Sequence, residues 1–182
     1  GSDAVGGALN LFTRIADFSA AENGVFFQSG GLFARWQSAE QSWQTRADYD
    51  FGVGQKWGLH LGATWKDFGD VRAADIGEQP FTGYTQRSYD AKFDARLSEN
   101  WTLTLAHQAL RQDDAWRTHR TIYGIRWNGT QAGTDRALVF DQRRQLGYLQ
   151  LRHDGLGALA DTVRASVSYQ EQNEDQYRLR SN

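Results

Sequence analysis

Hydrophobic and polar residues alternate along most of this chain with the period of two that is typical of β-strands. Over residues 43–53 the odd positions are mostly apolar, whereas the even positions carry Arg46, Asp48 and Asp50. The pattern predicts an opening strand at residues 8–14, followed by seven further strands. These seven strands are predicted at residues 31–38, 43–53, 57–66, 89–97, 101–112, 142–153 and 162–172.

The predicted strands are long, and their two faces differ in polarity. Strands of soluble proteins usually have about 5–6 residues, but several segments here reach about ten, which is roughly what a tilted strand needs to cross a bilayer. One face is too charged for the core of a β-sandwich, and the opposite face is too apolar for water. We therefore expect the two faces to contact different solvents, hydrocarbon outside and a wet cavity inside.

The links between the strands are of two kinds. Two links, at residues 67–88 and 113–141, are long and rich in Gly, Arg, Asp and Gln. The other links are short or moderate, and they lie at residues 39–42, 54–56, 98–100 and 154–161. In an up-and-down sheet both long links fall on one side, as in outer-membrane barrels with short periplasmic turns and long external loops. The short link at residues 39–42 falls on that side too and is an exception.

Aromatic residues give an independent indication of a membrane-spanning wall. Trp57 and Trp65 share a face and lie roughly 26 Å apart at ~3.3 Å per residue. A tilt of about 40° reduces this to roughly 20 Å, near the height of the apolar band of such barrels. Aromatics at two levels are typical of interfacial girdles, although Trp and Tyr are also good strand formers. The residues predicted to face lipid are Trp43, Trp57, Trp65, Tyr89 and Trp101.

The charged face of the same strands is predicted to line a lumen. Opposite charges on neighbouring strands can pair across the ladder. Such a wall either docks an inner domain through polar contacts or is simply hydrated. Its predicted members are Arg46, Asp48, Asp50, Lys66, Asp90, Lys92, Asp94 and Arg96.

Composition argues against several other kinds of protein. The 182 residues include 20 Lys and Arg and 22 Asp and Glu, and the formal net charge of -2 argues against a nucleic-acid partner held by phosphate neutralisation. The chain has no Cys, which excludes disulfides, thiolate metal sites and a Cys nucleophile. No stretch approaches the ~18 apolar residues of a membrane-spanning helix.

The sequence offers no strong catalytic or metal-binding motif. The pairs Asp113–Asp114 and Glu174–Asp175 occupy adjacent strand positions that point to opposite faces, so neither pair fits general acid–base chemistry. The four histidines are too far apart in sequence for a local metal motif. We therefore expect no enzymatic activity, no metal and no cofactor.

Cations and aromatics cluster in the second long link. Such a group can bind an anionic or planar ligand or an iron chelate. A solvated loop that happens to be rich in arginine is the simpler interpretation. The candidate ligand-binding residues are Arg117, His119, Arg120, Tyr123 and Trp127.

Four stretches resemble a known family. The opening "GSDAVGGALNLFTR" (1–14) closely resembles the end of the plug domain of TonB-dependent outer-membrane receptors, where a Gly-Gly segment leads into the first barrel strand. The stretches "WKDFGDVR" (65–72), "IGEQPFTGY" (76–84) and "QDDAWRTHRTIYGIRWNGTQAGTD" (112–135) also resemble parts of that family's barrel. The resemblance covers essentially the whole chain, and its Gly-Gly motif is the most specific part.

The resemblance implies a fold and a division of the chain. Residues 1–16 would be the C-terminal end of the plug, with Gly6 and Gly7 at the junction, and residues 17–182 the N-terminal part of the barrel. Complete receptors close about twenty-two strands around the plug, so the chain would be a fragment. The expected fold class is all-β: a partial transmembrane antiparallel up-and-down barrel, open and curved, preceded by the last plug strand.

The resemblance also implies a function. The chain would belong to a receptor in the cell outer membrane that takes up a scarce ligand such as a ferric siderophore, haem or cobalamin. Its partners would be the lipid bilayer, the small-molecule or iron-chelate ligand and TonB, which would act through the missing N-terminal part. Two other classes stay open, an outer-membrane barrel enzyme and a soluble β-rich binding module. Aromatic rows buried between two sheets would favour the soluble module.

Overall fold

A computed structural model describes residues 14–157 and 160–181. The junction glycines Gly6 and Gly7 lie outside the described residues. Of the opening strand predicted at residues 8–14, only Arg14 is described. In the part of the chain that is described, no helix is long and apolar enough to cross a membrane.

Regular structure in the described residues consists almost entirely of β-strands. The strands are β1 (Phe26–Gln37), β2 (Ser42–Val53), β3 (Trp57–Phe68), β4 (Arg72–Ala73), β5 (Gly77–Glu78), β6 (Tyr84–Arg96), β7 (Trp101–Trp116), β8 (Asp135–Asp154) and β9 (Thr162–Arg180). A 3₁₀ helix spans Thr118–Arg120. The seven long strands form one antiparallel sheet in the order β1-β2-β3-β6-β7-β8-β9, and β4 and β5 form a small hairpin between β3 and β6.

The predicted all-β, up-and-down fold with about seven long strands is confirmed. Each long strand pairs with the one before it, β1 and β9 are the two edges, and the sheet is open in the described residues. Both long links fall on the same side of this sheet, at residues 69–83 and 117–134. The four-residue link between β1 and β2 also lies on that side, as the sequence indicated.

Several strands extend beyond their predicted ends toward the long links. β7 continues past Gln112 to Trp116, and a register shift between Gln112 and Ala115 marks a bulge at which Asp114 has a φ of 59°. A bulge reverses the phase of inside and outside positions. The alternation therefore stops at Gln112 although the strand does not.

The long strands differ in length, and this gives the sheet an uneven rim on the long-link side. β1 and β2 have 12 residues each, whereas β8 has 20 and β9 has 19. On the short-turn side the strands begin or end at similar levels. The pairing of β2 with β3 begins there at Val53 and Trp57, and the pairing of β8 with β9 begins there at Asp154 and Thr162. The rim consequently rises from β1 to β9.

The exposure of the two faces is the reverse of that in a soluble β-protein. Trp43 and Trp65, on the apolar face, are each 55% exposed. On the charged face, Asp50 is 5% and His60 is 1% exposed. The buried hydrophobic residues among those described are only Ala16, Ala115, Ala137 and Leu138. The sheet therefore shelters charged side chains around β2 and β3 and exposes its aromatic rows.

We predict from this exposed apolar face that folding depends on detergent. Contiguous apolar patches of this extent are rare on soluble monomers and favour association in water. The purified chain should aggregate in aqueous buffer and give strand-rich far-UV circular dichroism only in detergent micelles, with its size followed by sedimentation velocity. A monomer that gives the same spectrum without detergent would contradict this interpretation.

Candidate functional site

The charged face carries a cluster of paired side chains, which we call the buried polar network. Its members are Arg14, Arg46, Asp48, Asp50, His60 and Asp90. Arg46 binds Asp90 with both terminal nitrogens, at 2.9 and 3.3 Å, and donates to the Thr64 hydroxyl at 3.1 Å. Bidentate arginine–carboxylate pairs of this kind are strong and have defined geometry.

His60 connects two carboxylates on different strands. Its Nδ1 lies 2.5 Å from Asp50 Oδ1 and its Nε2 lies 3.0 Å from Asp90 Oδ2. Both ring nitrogens of His60 therefore contact a carboxylate, and the side chain joins β2 to β6 through β3.

Strand register explains how these side chains meet. Asp50 is directly opposite His60, and Asp48 and Asp90 are opposite Gly62 from its two sides. A Cβ at position 62 would lie 2.3 Å from Arg46 Nη2 and 2.8 Å from both carboxylate oxygens of Asp90. Gly62 therefore provides the space through which Arg46 reaches across β3 to Asp90.

The chain before β1 lies against this network. Arg14 bonds Asp48 at 3.1 Å and Asp50 at 2.8 Å, and Ala16 is 1% exposed. A Cβ at Gly58 would lie 2.7 Å from the Ala16 carbonyl oxygen, so this segment approaches the backbone of β3 closely. The segment that precedes the sheet is thus held to the charged face by two ion pairs and a close backbone contact.

A local turn follows this contact. The Ser19 hydroxyl and backbone N–H donate to Asp17 Oδ1, at 2.6 and 3.2 Å. The hydroxyl bond contributes most to lowering the pKa of the Asp17 carboxyl below its usual value. The N–H of Gln55 then donates to the Phe18 carbonyl at 2.8 Å, which fixes the segment to the turn between β2 and β3.

The predicted lumen wall is only partly one cluster. Arg46, Asp48, Asp50 and Asp90 belong to the network, and Lys92 on β6 is directly opposite His60. The other three predicted members, Lys66, Asp94 and Arg96, lie on the same face. Asp94 is buried and accepts a bond from the Thr104 hydroxyl at 2.5 Å, and its second oxygen has no hydrogen-bond partner among the described residues. Arg96 is exposed and donates to the Gln55 side chain at 3.0 Å.

Sequence reasoning missed His60 and Arg14 as members of this site. His60 was recognisable, because it shares the phase of the charged positions on β3 and faces Asp50 across a short turn. Arg14 was not, because it lies outside the sheet and its approach to Asp48 and Asp50 depends on tertiary folding.

The loop residues predicted to bind a ligand do not converge on one point. Arg117 stacks on Phe140 at 5.1 Å, and Tyr123 packs against Phe81 at 4.9 Å. The other three, His119, Arg120 and Trp127, are exposed on the link between β7 and β8.

An aromatic stack that the sequence did not indicate joins the two long links. Phe81 stacks on Trp116 with ring centroids 4.6 Å apart, and the Thr118 hydroxyl donates to the Phe81 carbonyl. Asp70 shapes the first link by accepting backbone bonds from Thr82 at 2.7 Å and from Phe81 at 3.1 Å. The long links thus form one packed surface at the end of the sheet.

The aromatic residues predicted to face lipid lie on the exposed face, along two diagonal lines. The upper line begins at Trp43, which is opposite Asp67 on β3, and continues at Trp65, two residues nearer the short turns than Asp67. Tyr89 is opposite Ala63, which lies two residues nearer the short turns than Trp65. The upper line ends at Tyr169, which is 66% exposed and lies in the row of cross-strand partners that contains Tyr49. From Trp43 on β2 to Tyr169 on β9 the upper line descends roughly 20 Å along the strands over roughly 24 Å across them, which is a slope of about 40°.

The lower line has the same slope. Trp57 lies in the row of Leu103, and Trp101 lies two residues farther toward the short turns. Strands of transmembrane barrels are tilted by about 35–45°. If the strands are tilted by that angle, both diagonal lines become level, with roughly 20 Å between them.

We predict that Gly62→Ala destabilises the protein. The new methyl group collides with Arg46 and Asp90, and overpacking of this kind costs about 1–3 kcal/mol. Urea unfolding in detergent micelles, followed by Trp fluorescence, measures the loss. Gly147→Ala is the matched control, because the nearest atoms to its added Cβ lie 3.8 Å away. Equal midpoints for the two variants would show that Gly62 is not needed for space.

We also predict that Asp50→Ala releases the segment around Arg14. The substitution leaves Arg14 with one ion pair and the buried His60 with one carboxylate, and loss of a partner from a buried pair such as His60–Asp50 costs about 3 kcal/mol. Trypsin should then cleave after Arg14 faster than in the unsubstituted protein. Asp175→Ala, at an exposed carboxylate, is the control. Unchanged cleavage would mean that the segment is held by other contacts.

Comparison with known proteins does not extend this description. No protein-family model, no curated protein and no solved structure matches the chain. In the described residues, no group of three or more His, Asp and Glu side chains is arranged to hold a metal ion. The features that bear on function are the exposure of the two faces, the aromatic lines and the loop surface.

Proposed function

We propose that this chain is part of the wall of an outer-membrane barrel that takes up a scarce ligand in a TonB-dependent manner. The observation that carries this proposal is the reversed exposure of the sheet, with Asp50 and His60 sheltered and Trp43 and Trp65 exposed. In a protein that folds in water this arrangement is unfavourable, since it exposes apolar surface to water and removes charged groups from it. In a wall between lipid and an aqueous interior, the exposed aromatic face contacts lipid and the charged face lies on the aqueous side.

The dimensions of the apolar face support the same proposal. The roughly 20 Å between the two aromatic lines is near the ~25 Å apolar band of outer-membrane barrels, whose aromatic girdles lie at both interfaces. Both long links lie beyond the upper line, whereas the turns between β2 and β3 and between β6 and β7 are short. The long links would face the exterior.

The buried polar network would hold an inner domain against the charged face and still allow its release. Arg14 connects the chain that precedes the sheet to two aspartates on the charged face. The Arg14 side chain is half-exposed, and an ion pair whose guanidinium borders water costs little to exchange for hydration. Such contacts would hold a plug in place and reform after a partner has pulled on it, which fits the family that the opening stretch resembles.

The packed surface of the two long links would supply recognition. It contains the stacked Phe81, Trp116 and Tyr123 rings. Trp127 and Arg120 are exposed on the link between β7 and β8 and would offer an aromatic face and a guanidinium at the same end of the sheet. Planar or anionic iron chelates, such as a ferric siderophore or haem, suit this combination of groups.

Uptake in living cells tests the proposal. A strain that lacks the gene for this protein should lose accumulation of one radiolabelled iron chelate, tested with a panel of ferric siderophores and haem. The intact gene should restore accumulation in cells with TonB but not in cells without it, since the transport step would require energy from the inner membrane. Accumulation that persists without TonB would contradict energised uptake.

Loop variants test the recognition surface separately. Trp127→Ala together with Arg120→Ala should weaken binding of that chelate by about tenfold while outer-membrane levels stay normal, since each change removes an exposed stacking or charged contact. Glu99→Ala, at an exposed position in the short turn between β6 and β7, is the matched control. Equal binding by all three proteins would mean that the ligand contacts another part of the receptor.

A further inference from the structure

One carboxylate closes the base of the first long link. Asp70 Oδ2 accepts the backbone N–H of Phe81 at 3.1 Å, and its Oδ1 accepts the N–H groups of Thr82 at 2.7 Å and Gly83 at 2.9 Å. Three consecutive N–H groups thus point at a single side chain. Asp70 and Phe81 are eleven positions apart in sequence, so this side chain holds the two ends of the link together.

The rest of the first link forms hydrogen bonds within itself. The Thr82 hydroxyl accepts the N–H of Val71 at 2.8 Å and donates to the Gln79 carbonyl at 2.8 Å. The Gln79 N–H donates to the Val71 carbonyl at 2.8 Å, and the hairpin of β4 and β5 lies beyond these bonds. A link that pairs its own backbone groups in this way has a defined conformation without a ligand.

Phe81 has an unusual backbone conformation at the base of this link. Its φ is 58°, in the left-handed region, which is unfavourable for a bulky side chain. A residue keeps such a conformation only where the surrounding structure holds it. The Phe81 N–H is held by Asp70 in the first link, and its carbonyl accepts a bond from the buried Thr118 hydroxyl in the second. The two links therefore fix Phe81 together.

The Phe81 ring packs against two other rings, and we call Phe81, Trp116 and Tyr123 the three-ring stack. The Phe81 and Trp116 rings are nearly parallel, at 21°, with centroids 4.6 Å apart, and the Tyr123 centroid lies 4.9 Å from that of Phe81. Phe81 is still 41% exposed and Tyr123 40%. The stack therefore joins the end of β7 to both long links and offers aromatic surface to a ligand.

We propose that Asp70 is a positioning residue for the recognition surface, and that by fixing Phe81 it makes this surface selective for ligands that carry a flat aromatic group. This proposal rests on the proposed function of the two long links. Without the bond from Asp70, the Phe81 backbone can return to a negative φ, which turns its ring away from Trp116. The three-ring stack is then no longer formed before the ligand arrives.

A preformed aromatic stack favours flat ligands for two reasons. Aromatic rings prefer offset-stacked or tilted partners with centroids about 4.5–7 Å apart, and a flat group can join the stack in that geometry. Rings that are already fixed also lose little conformational freedom when the ligand binds. An iron chelate without an aromatic ring gains no stacking energy, so a stack that is held in place discriminates against it.

Calorimetric titration of the full-length protein in detergent micelles tests this selectivity. The flat probes are haem and a ferric tricatecholate, and they are compared with a ferric trihydroxamate that has no aromatic ring. The unsubstituted protein should bind one of the flat probes about tenfold more tightly than the trihydroxamate, as two ring contacts provide. Binding of the trihydroxamate that is as tight or tighter would overturn the proposal.

Asp70→Asn isolates the bond to Phe81. The remaining oxygen can still accept from Thr82 and Gly83, whereas the new amide nitrogen is a donor and cannot accept the Phe81 N–H. Binding of the flat probe should weaken about tenfold, as for loss of a hydrogen bond to a charged group, while trihydroxamate binding stays the same.

The matched control is Asp75→Asn, at an exposed carboxylate in the turn between β4 and β5 of the same link. This variant should bind every probe as the unsubstituted protein does. Equal weakening of all probes by Asp70→Asn would overturn the proposal, because Asp70 would then support only the fold of the link.

A double-mutant cycle shows whether Asp70 acts through Phe81. Phe81→Leu removes the ring and should itself weaken the flat probe about tenfold. Asp70→Asn should then cause no further loss in this background, because residues that act as one unit are not additive. A further loss as large as in the unsubstituted background would overturn the positioning role alone. Failure of the unsubstituted protein to bind any of the three chelates would contradict the proposed function and the positioning role with it.

Discussion

The charge pairs between β2, β3 and β6 are the interaction on which the rest of this structure depends. Arg46 reaches Asp90 across Gly62, and His60 connects Asp50 to Asp90, so three strands are fixed relative to one another. A shift of one residue in a strand moves its whole set of side chains to the opposite face. Such a shift would place aspartates among the exposed aromatics. The network therefore specifies register in a sheet that has almost no hydrophobic interior to do so.

The alternation of residues was sufficient to predict the sheet but not its details. Strand number and the separation of the two faces follow from a period of two, because side chains in a regular strand point alternately to the two faces of the sheet. The ends of β7 and β8 did not follow, because a bulge near Asp114 changes the phase locally. Where a strand bends in this way, the pattern ends before the strand does.

Side-chain contacts between distant segments were the least predictable part of the site. Phe81 and Tyr123 lie in different links, and only the folded sheet brings those links to the same edge. Arg14 meets Asp48 and Asp50 for the same kind of reason, because its position is set by the path of an irregular segment. His60 is an intermediate case, since its phase along β3 was visible while its two carboxylate partners required the register.

The unequal lengths of the strands have a consequence for the direction from which a large solute reaches the sheet. Beyond the upper aromatic line, β1 ends within a residue of Trp36, whereas β9 continues to Arg180, roughly 28 Å farther out at a tilt of about 40°. Upright in a membrane, this wall would be low on one flank and tall on the other. A bulky molecule arriving from outside would be blocked by the tall flank, and it would reach the charged face from the side of the low flank.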